Sequence, residues 1–159
     1  GLSSNLGQFD LVLFHAVLEW LADPQDTLQK LLGFVRPGGH LSLLFYNKQA
    51  LIMRHLTLGN FHYVEKNYLS GIGKRTLTPL SPQVPDDVRG WFSEWGYEEC
   101  CYSGVRCFHD FMQAKEQARC DDADILRLEL MHSQKSPYRE LARYIHLLLK
   151  KPTAISPQV

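Results

Sequence analysis

The chain of 159 residues is expected to adopt an α/β fold, namely the C-terminal half of a doubly wound sheet. In that half, two parallel strands are followed by a closing antiparallel pair with helices. Three observations point there. Phe9 to Phe14 is a short apolar run without clean alternation, as in a parallel strand buried on both faces. A helix signal, Asp23-Pro24, follows it, and His40 to Tyr46 returns as a second apolar run. Late in the chain, Tyr97 to Ser103 and Tyr144 to Leu149 form two more β-rich segments separated by helical patterns.

The elements follow in order. Asp23 can cap a helix whose first position is Pro24, and Asp26 adds a carboxylate at its positive end. Leu28, Leu31, Leu32 and Val35 fall at i, i+3, i+4 and i+7, one stripe toward a sheet. Arg36-Pro37-Gly38-Gly39 should end this helix, because proline cannot continue it and the glycines accept positive φ. One helix joining two parallel strands makes a right-handed βαβ unit. Gln49 to Leu58 is expected as a helix with Leu51, Ile52 and Leu56 inward, closed by Gly59 in a left-handed cap. Val88, Trp91, Phe92 and Trp95 repeat the helical spacing from about Pro85 to Gly96, as core rather than a cofactor box. Gly104 should break the strand after Ser103. A polar helix is expected around Gln113 to Arg119, one from Ala123 to His132 on Ile125, Leu126, Leu128 and Met131, and a short one from Ser136-Pro137.

Composition bounds the function loosely. Formal charge is zero and hydrophobic residues make up 45%, so any nucleic-acid affinity must come from a local patch. No run has the length of a membrane span, and the cytoplasm is the default expectation. Cys100, Cys101, Cys107 and Cys120 have neither CxxC spacing nor a histidine pair, so free thiols are expected and no metal site. Gly71-Ile72-Gly73-Lys74 lacks the spacing of a phosphate loop and is expected as a flexible loop.

The FDLVLFHAVLEW strand and loop, the ADP helix start and the RPGG turn together resemble the second half of class I S-adenosylmethionine-dependent methyltransferases. The later segments LSLLFYN, GNFHYV, KRTLTP, GVRCFHDF and RYIHLLLKKP are similar to the tRNA 5-carboxymethoxyuridine methyltransferase family, nearly end to end. That resemblance implies a Rossmann-like sheet, S-adenosyl-L-methionine as cofactor, and the tRNA anticodon stem-loop as partner. Such enzymes begin with a glycine-rich cofactor turn and an acidic ribose-binding residue. Neither is in this sequence, which enters at what would be the fourth strand. It is therefore expected to be a C-terminal portion, inactive alone, with a βαβ core over 8–60, a substrate-covering insertion over 61–85, and closing helices and strands over 86–159.

Ligands in open α/β sheets bind outside the carboxyl ends of the strands. His15 sits there, and the resemblance implies that it packs against the cofactor, with Phe14 and Ala16 flanking; a strand-end histidine bonded to backbone is the plainer alternative. Trp20 fits packing under a helix. FHAV is not the [DNS]PP[YFW] tetrapeptide of amine-directed methyltransferases, which leaves oxygen, carbon or small-molecule acceptors. Tyr46 and Asn47 end the second strand and so face the same cleft. Phe61, Tyr63 and Tyr68 interleave with Lys66, Lys74 and Arg75, suited to unstacked bases and phosphates, as is many a surface loop. If the acceptor is a carboxylate, as the resemblance implies, Arg106 is the leading substrate contact. Arg75 and His109 follow; for each, a surface ion pair is the commoner explanation. A small-molecule methyltransferase of the quinone or fatty-acid type, and a non-enzymatic module pairing through an exposed strand with the other half or a second copy, are the alternatives.

Overall fold

The computed structural model describes residues 7–67 and 80–153. The first seven-residue strand, β1 (Phe9–His15), pairs in parallel with β2 (Val35–Tyr46). Between them lies α1 (Pro24–Leu31), capped as its sequence requires: the Asp23 carboxylate accepts from Asp26 N at 3.0 Å. After β2 come α2 (Lys48–Thr57), α3 (Phe61–Glu65) and α4 (Pro85–Glu94). Then β3 (Glu98–Val105), α5 (Ala114–Gln117), α6 (Asp122–His132) and β4 (Tyr144–Lys150) complete the chain. The strand order is β1-β2-β4-β3, with β4 antiparallel to both neighbours. This is the expected parallel pair plus antiparallel closing pair.

One face of the sheet makes the core. Leu41, Leu43 and Phe45 of β2 and Ile145, Leu147 and Leu149 of β4 alternate onto it and are essentially inaccessible. They pack with Leu28 and Leu32 from the α1 region and with Val88 and Phe92 of α4. Trp91 and Trp95 lie partly buried against the same cluster, which is the expected core stripe. Each fully buried side chain of this size contributes about 1.5–3 kcal/mol.

Several expectations need correction. β1 is not buried on both faces: Leu11 is 52% and Leu13 63% exposed, because β1 is a sheet edge and these residues point to the uncovered face. The Arg36-Pro37-Gly38-Gly39 segment does not reverse the chain. The helix ends at Leu31, a 3-10 turn follows over Leu32–Phe34, and β2 runs from Val35 straight through the glycines. Gly38 has φ +74°, and its N–H donates to Lys151 O at 3.0 Å, while Lys151 N donates to Gly39 O at 2.8 Å. The glycines thus let β2 pair with the end of the chain. Gly104 likewise does not break β3. It is buried, and an added Cβ would stand 2.4 Å from Ala142 Cβ, so its absent side chain admits the 139–142 segment. Leu56 of α2 and Leu126 and Met131 of α6 point outward, at 43%, 60% and 49% exposure. Among the described residues after Pro137, the only helical turn is the 3-10 turn Arg139–Leu141.

Gly59 takes the expected left-handed conformation, φ +71°. All four cysteines are free. Among the described residues, no helix is long and apolar enough to cross a membrane and no cluster of metal-ligating side chains occurs. Arg75, Tyr68, Lys74 and the Gly71 to Lys74 stretch lie outside the described residues.

Candidate functional site

Strand order brings four chain segments to one end of the sheet. β1 and β2 point their carboxyl ends there, and β3, antiparallel to β4, does the same. The residue pairs Val105 with Tyr144 and Tyr144 with Tyr46 mark this end, so Arg106, Arg143 and Tyr46 are neighbours although far apart in sequence.

The centre is a carboxylate between two guanidiniums. Asp110, on the 3-10 turn His109–Phe111, binds Arg106 Nη2 through Oδ1 and Arg143 Nη1 through Oδ2, the latter at 3.1 Å. Its side chain is only 16% exposed. Arg106 Nη2 also donates to His109 Nδ1 at 3.1 Å, which places the neutral imidazole proton on Nε2. Backbone ties complete the clamp: Arg143 N donates to Arg106 O at 3.1 Å. Arg106 itself has φ +63°, a conformation that a non-glycine residue adopts only when its surroundings hold it there.

Tyr46, Arg54 and Phe111 line the same open pocket with Arg106, Asp110 and Arg143. The Arg143 guanidinium lies 5.6 Å from the centroids of both Tyr46 and Tyr144, whose rings meet edge to face at 5.4 Å. Burial works against the Arg143 charge, but the Tyr46 phenol and the Asp110 carboxylate outweigh it and raise its pKa. Burial also raises the Tyr46 pKa, partly offset by Arg143 and Arg54, so the phenol stays protonated and can donate. Three guanidiniums thus face one carboxylate. The imbalance gives the pocket an excess of positive charge between aromatic side chains, chemistry suited to an anion.

A second polar group lies on the uncovered sheet face beneath β1. His15 Nε2 meets Ser42 Oγ at 2.9 Å, and Ser42 Oγ meets His146 Nε2 at 2.8 Å. The hydroxyl can donate to one ring and accept from the other, which links the two imidazoles through one proton donor. Burial, then the charge of His15, lowers the His146 pKa. The chain leaves β1 through Ala16, at φ +55°, whose N–H makes a further bond to Leu44 O at 2.8 Å. In the 3-10 turn that follows, Leu18–Trp20, Glu19 is 2% exposed with Oε2 unpartnered. Burial raises its pKa, opposed by the backbone N–H groups of Glu19 and Tyr46.

The expected site residues therefore separate. Arg106 and Tyr46 line one pocket, with His109 bonded to Arg106 beside it, while His15 and Ala16 stand at the end of β1. Phe14 is partly buried against the main core on the covered face. Asn47 is fully buried, and its capacity is spent internally: Nδ2 donates to Glu140 O and Ala142 O, both at 2.8 Å, and Oδ1 accepts from Gln49 N at 2.9 Å to cap α2. These bonds lock the 140–142 segment to the start of α2. Trp20 is 39% exposed rather than buried under a helix. Sequence reasoning misses Arg143, Arg54 and Asp110. For Arg143 the available signal is its place just before an antiparallel closing strand, whose amino end must lie beside the carboxyl ends of the parallel strands.

The segment leaving the 61–85 region also reaches this end. Gln83 N donates to Tyr46 O at 3.0 Å, Lys48 N to Gln83 O at 2.9 Å, and Ser81 N to Glu19 O at 2.9 Å. These bonds stitch residues 81–83 alongside the end of β2.

Comparison with known proteins follows the same outline. Residues 2–43 match a family described as a methyltransferase domain. Two proteins, from Escherichia coli O157:H7 and strain K12, both named tRNA 5-carboxymethoxyuridine methyltransferase, are each 46% identical over 144 residues. The match covers 90% of this chain and 54% of each relative, so the chain spans about half the length of the curated relatives it matches. Among solved structures, a chain of the complex between the Haloferax volcanii Trm112 methyltransferase activator and a methyltransferase superposes with a TM-score of 0.53. The superposition covers 94% of this chain and 56% of the other at 14% identity. That likeness shows the fold alone, an α/β Rossmann-like sheet.

Proposed function

From a chain that belongs to the tRNA 5-carboxymethoxyuridine methyltransferase family over about half of its relatives' length, we infer that it carries the acceptor-binding half of an S-adenosylmethionine-dependent methyltransferase. The acceptor is the carboxylate of 5-carboxymethoxyuridine at the wobble position of tRNA. The observation that carries this reading is the pocket of Arg54, Arg106 and Arg143 around the single carboxylate of Asp110, at the carboxyl ends of the parallel strands.

The chemistry asks little of acid or base. A carboxylate is ionised near neutral pH, so no proton has to be removed from it. When bound, the cofactor supplies an electrophilic methyl on a sulfonium. That methyl would pass to a carboxylate oxygen and the cofactor would depart as the thioether, so the residues of this chain have no proton to move. The protein's task is to align the two ligands and exclude water. Arg106 and Arg143, held in place by Asp110, orient the acceptor. Asp110 also moderates their field, since a guanidinium pair bound too tightly to the reacting oxygen would blunt its nucleophilicity. Tyr46 donates from its protonated phenol and offers a ring beside the uracil. His15, with Nε2 engaged by Ser42, keeps Nδ1 for the cofactor, and the left-handed turn at Ala16 opens the loop around it. These residues fit one wall of a cofactor site. The glycine-rich turn and the ribose-binding acid would come from the remainder of the relatives' length, so this chain alone should be inactive.

The charged pocket argues against a quinone or fatty-acid acceptor, which would need apolar walls.

The test is transfer of labelled methyl from S-adenosylmethionine to two anticodon stem-loops, one with 5-carboxymethoxyuridine and one with uridine, by the full-length protein. Only the first should be methylated, as an ester that mild base releases. Label that appears equally in the uridine RNA, or that resists base, would rule the reading out.

A further inference from the structure

The loop that presents Arg106 is organised round a carboxylate from a different element. Three consecutive backbone N–H groups, those of Cys107, Phe108 and His109, converge on Glu129 of α6. Oε2 accepts from Cys107 at 2.6 Å, and Oε1 accepts from Phe108 at 3.0 Å and His109 at 2.8 Å. Successive amides turned to one side form a concave nest that binds anions. Here an internal carboxylate occupies it. The nest begins immediately after Arg106, whose positive φ aims the following N–H groups inward, and ends at the turn that carries Asp110.

We infer that Glu129 is a positioning residue for the acceptor pocket, its carboxylate standing in for a bound anion and setting where Arg106 and Asp110 sit. The inference rests on the pocket reading above, but its physical core is independent. Arg106 and Asp110 belong to a loop with no strand or long helix of its own to hold it. Its other ties include Gln117 Nε2 to His109 O at 2.9 Å and to Met112 O at 3.2 Å, Arg143 N to Arg106 O at 3.1 Å, and Arg143 Nη1 to Asp110 Oδ2 at 3.1 Å. None of these supplies an acceptor to the three amides. Cys107, buried beside Glu129, has its thiol pushed up to about 12 by burial and then by the Glu129 carboxylate. Glu129 touches neither the pocket nor any ligand position, so it acts only through the loop.

Vacating the nest should leave a site for a small external anion. In the full-length protein, Glu129→Ala should speed amide exchange at Cys107, Phe108 and His109. It should raise KM for the modified stem-loop about tenfold, the scale of a loop released by losing such bonds. KM for S-adenosylmethionine and kcat should stay within about twofold, because the cofactor wall is elsewhere. Formate or acetate should slow the exchange again and restore KM, whereas chloride at equal ionic strength should not. Glu129→Gln, which keeps one oxygen acceptor, should fall between. Unchanged amide exchange in Glu129→Ala would overturn the inference, as would a parallel loss of kcat, both KM values and melting temperature that no carboxylate restores. If the wild type leaves the stem-loop unmethylated, the functional reading fails, and the exchange arm still decides whether Glu129 holds the loop.

Discussion

Arg143 illustrates how much a single side chain's role depends on what it already touches. It bonds Asp110, lies over two tyrosine rings, and leaves Nε buried without a partner. Its truncation to Ala should raise KM for the modified stem-loop about tenfold or more, because the change removes a charge-assisted hydrogen bond and also releases Asp110. Lysine should rescue little, because it cannot span carboxylate and ring as a planar fork does. Steady-state kinetics with both RNA and cofactor varied would show it, and an unchanged KM would remove Arg143 from the acceptor site. Asn47 behaves oppositely. Asn47→Ala should leave two carbonyls and one amide unmet and cost about 2–4 kcal/mol of stability in denaturant melts, whatever happens to binding. His146 carries the pH dependence. Burial, then His15, holds its folded pKa below the usual histidine value of 6.5. The depressed folded value means that its contribution is present above that pH and is lost as pH falls through the folded pKa. Stability measured against pH should therefore drop on the acid side of about 6.5 in the wild type and drop less in His146→Gln. Equal slopes would assign the dependence to other groups.

At the scale of elements, chemistry local to the chain was legible in sequence and chemistry set by neighbours was not. The Asp23-Pro24 start of α1, the Val88 to Trp95 stripe of α4 and the left-handed Gly59 follow from capping, periodicity and backbone freedom alone. The Arg36 to Gly39 segment misled because a proline and two glycines signal a reversal equally well as a strand that must accommodate the returning chain end. Lys151 decides between them: besides its backbone pairing, its Nζ donates to Leu32 O and Val35 O, both at 2.8 Å, covering carbonyls around the 3-10 turn that follows α1. Gly104 misled in the same way. Its role is the close approach of the 139–142 segment, and that segment carries the chain into Arg143 and β4. Gly104→Ala should therefore overpack this approach and destabilise the protein by about 1–3 kcal/mol. Because the same packing sets the path to Arg143, KM for the RNA should rise alongside; a stable variant with wild-type kinetics would show that the approach is not required. Of the site, Arg106, His109 and Tyr46 were visible because strand ends and loops are where ligands bind. Arg143 was not, since only the antiparallel pairing of β4 brings it there, and Asp110, four residues after Arg106, gains its meaning only as the carboxylate between the two guanidiniums.

At the scale of the molecule, the sheet is covered on one face and largely open on the other. Leu11 and Leu13 on β1 are more than half exposed, and Ser42, His15 and His146 form a polar patch among half-buried Leu44 and Leu148 on that same face. A parallel edge strand with an apolar, uncovered side is an association surface, and a chain spanning about half of its relatives' length leaves about half of that length to cover it. The cofactor divides the alternatives. On the proposed reading His15 and Ala16 would supply only one wall, so S-adenosylmethionine titrated calorimetrically into this chain alone should give no measurable heat. With the amino-terminal half of the relatives' length supplied as a separate polypeptide, binding should appear, and Leu13→Lys should weaken it through the half-to-half interface while leaving the Arg106 pocket intact. Binding by this chain alone would mean that its own residues complete the cofactor site. If the second half associates but binding remains absent, His15 is a strand-end histidine and the cofactor approaches from elsewhere. Self-association that Leu13→Lys abolishes, with no response to the other half, would instead make the open face an interface between copies.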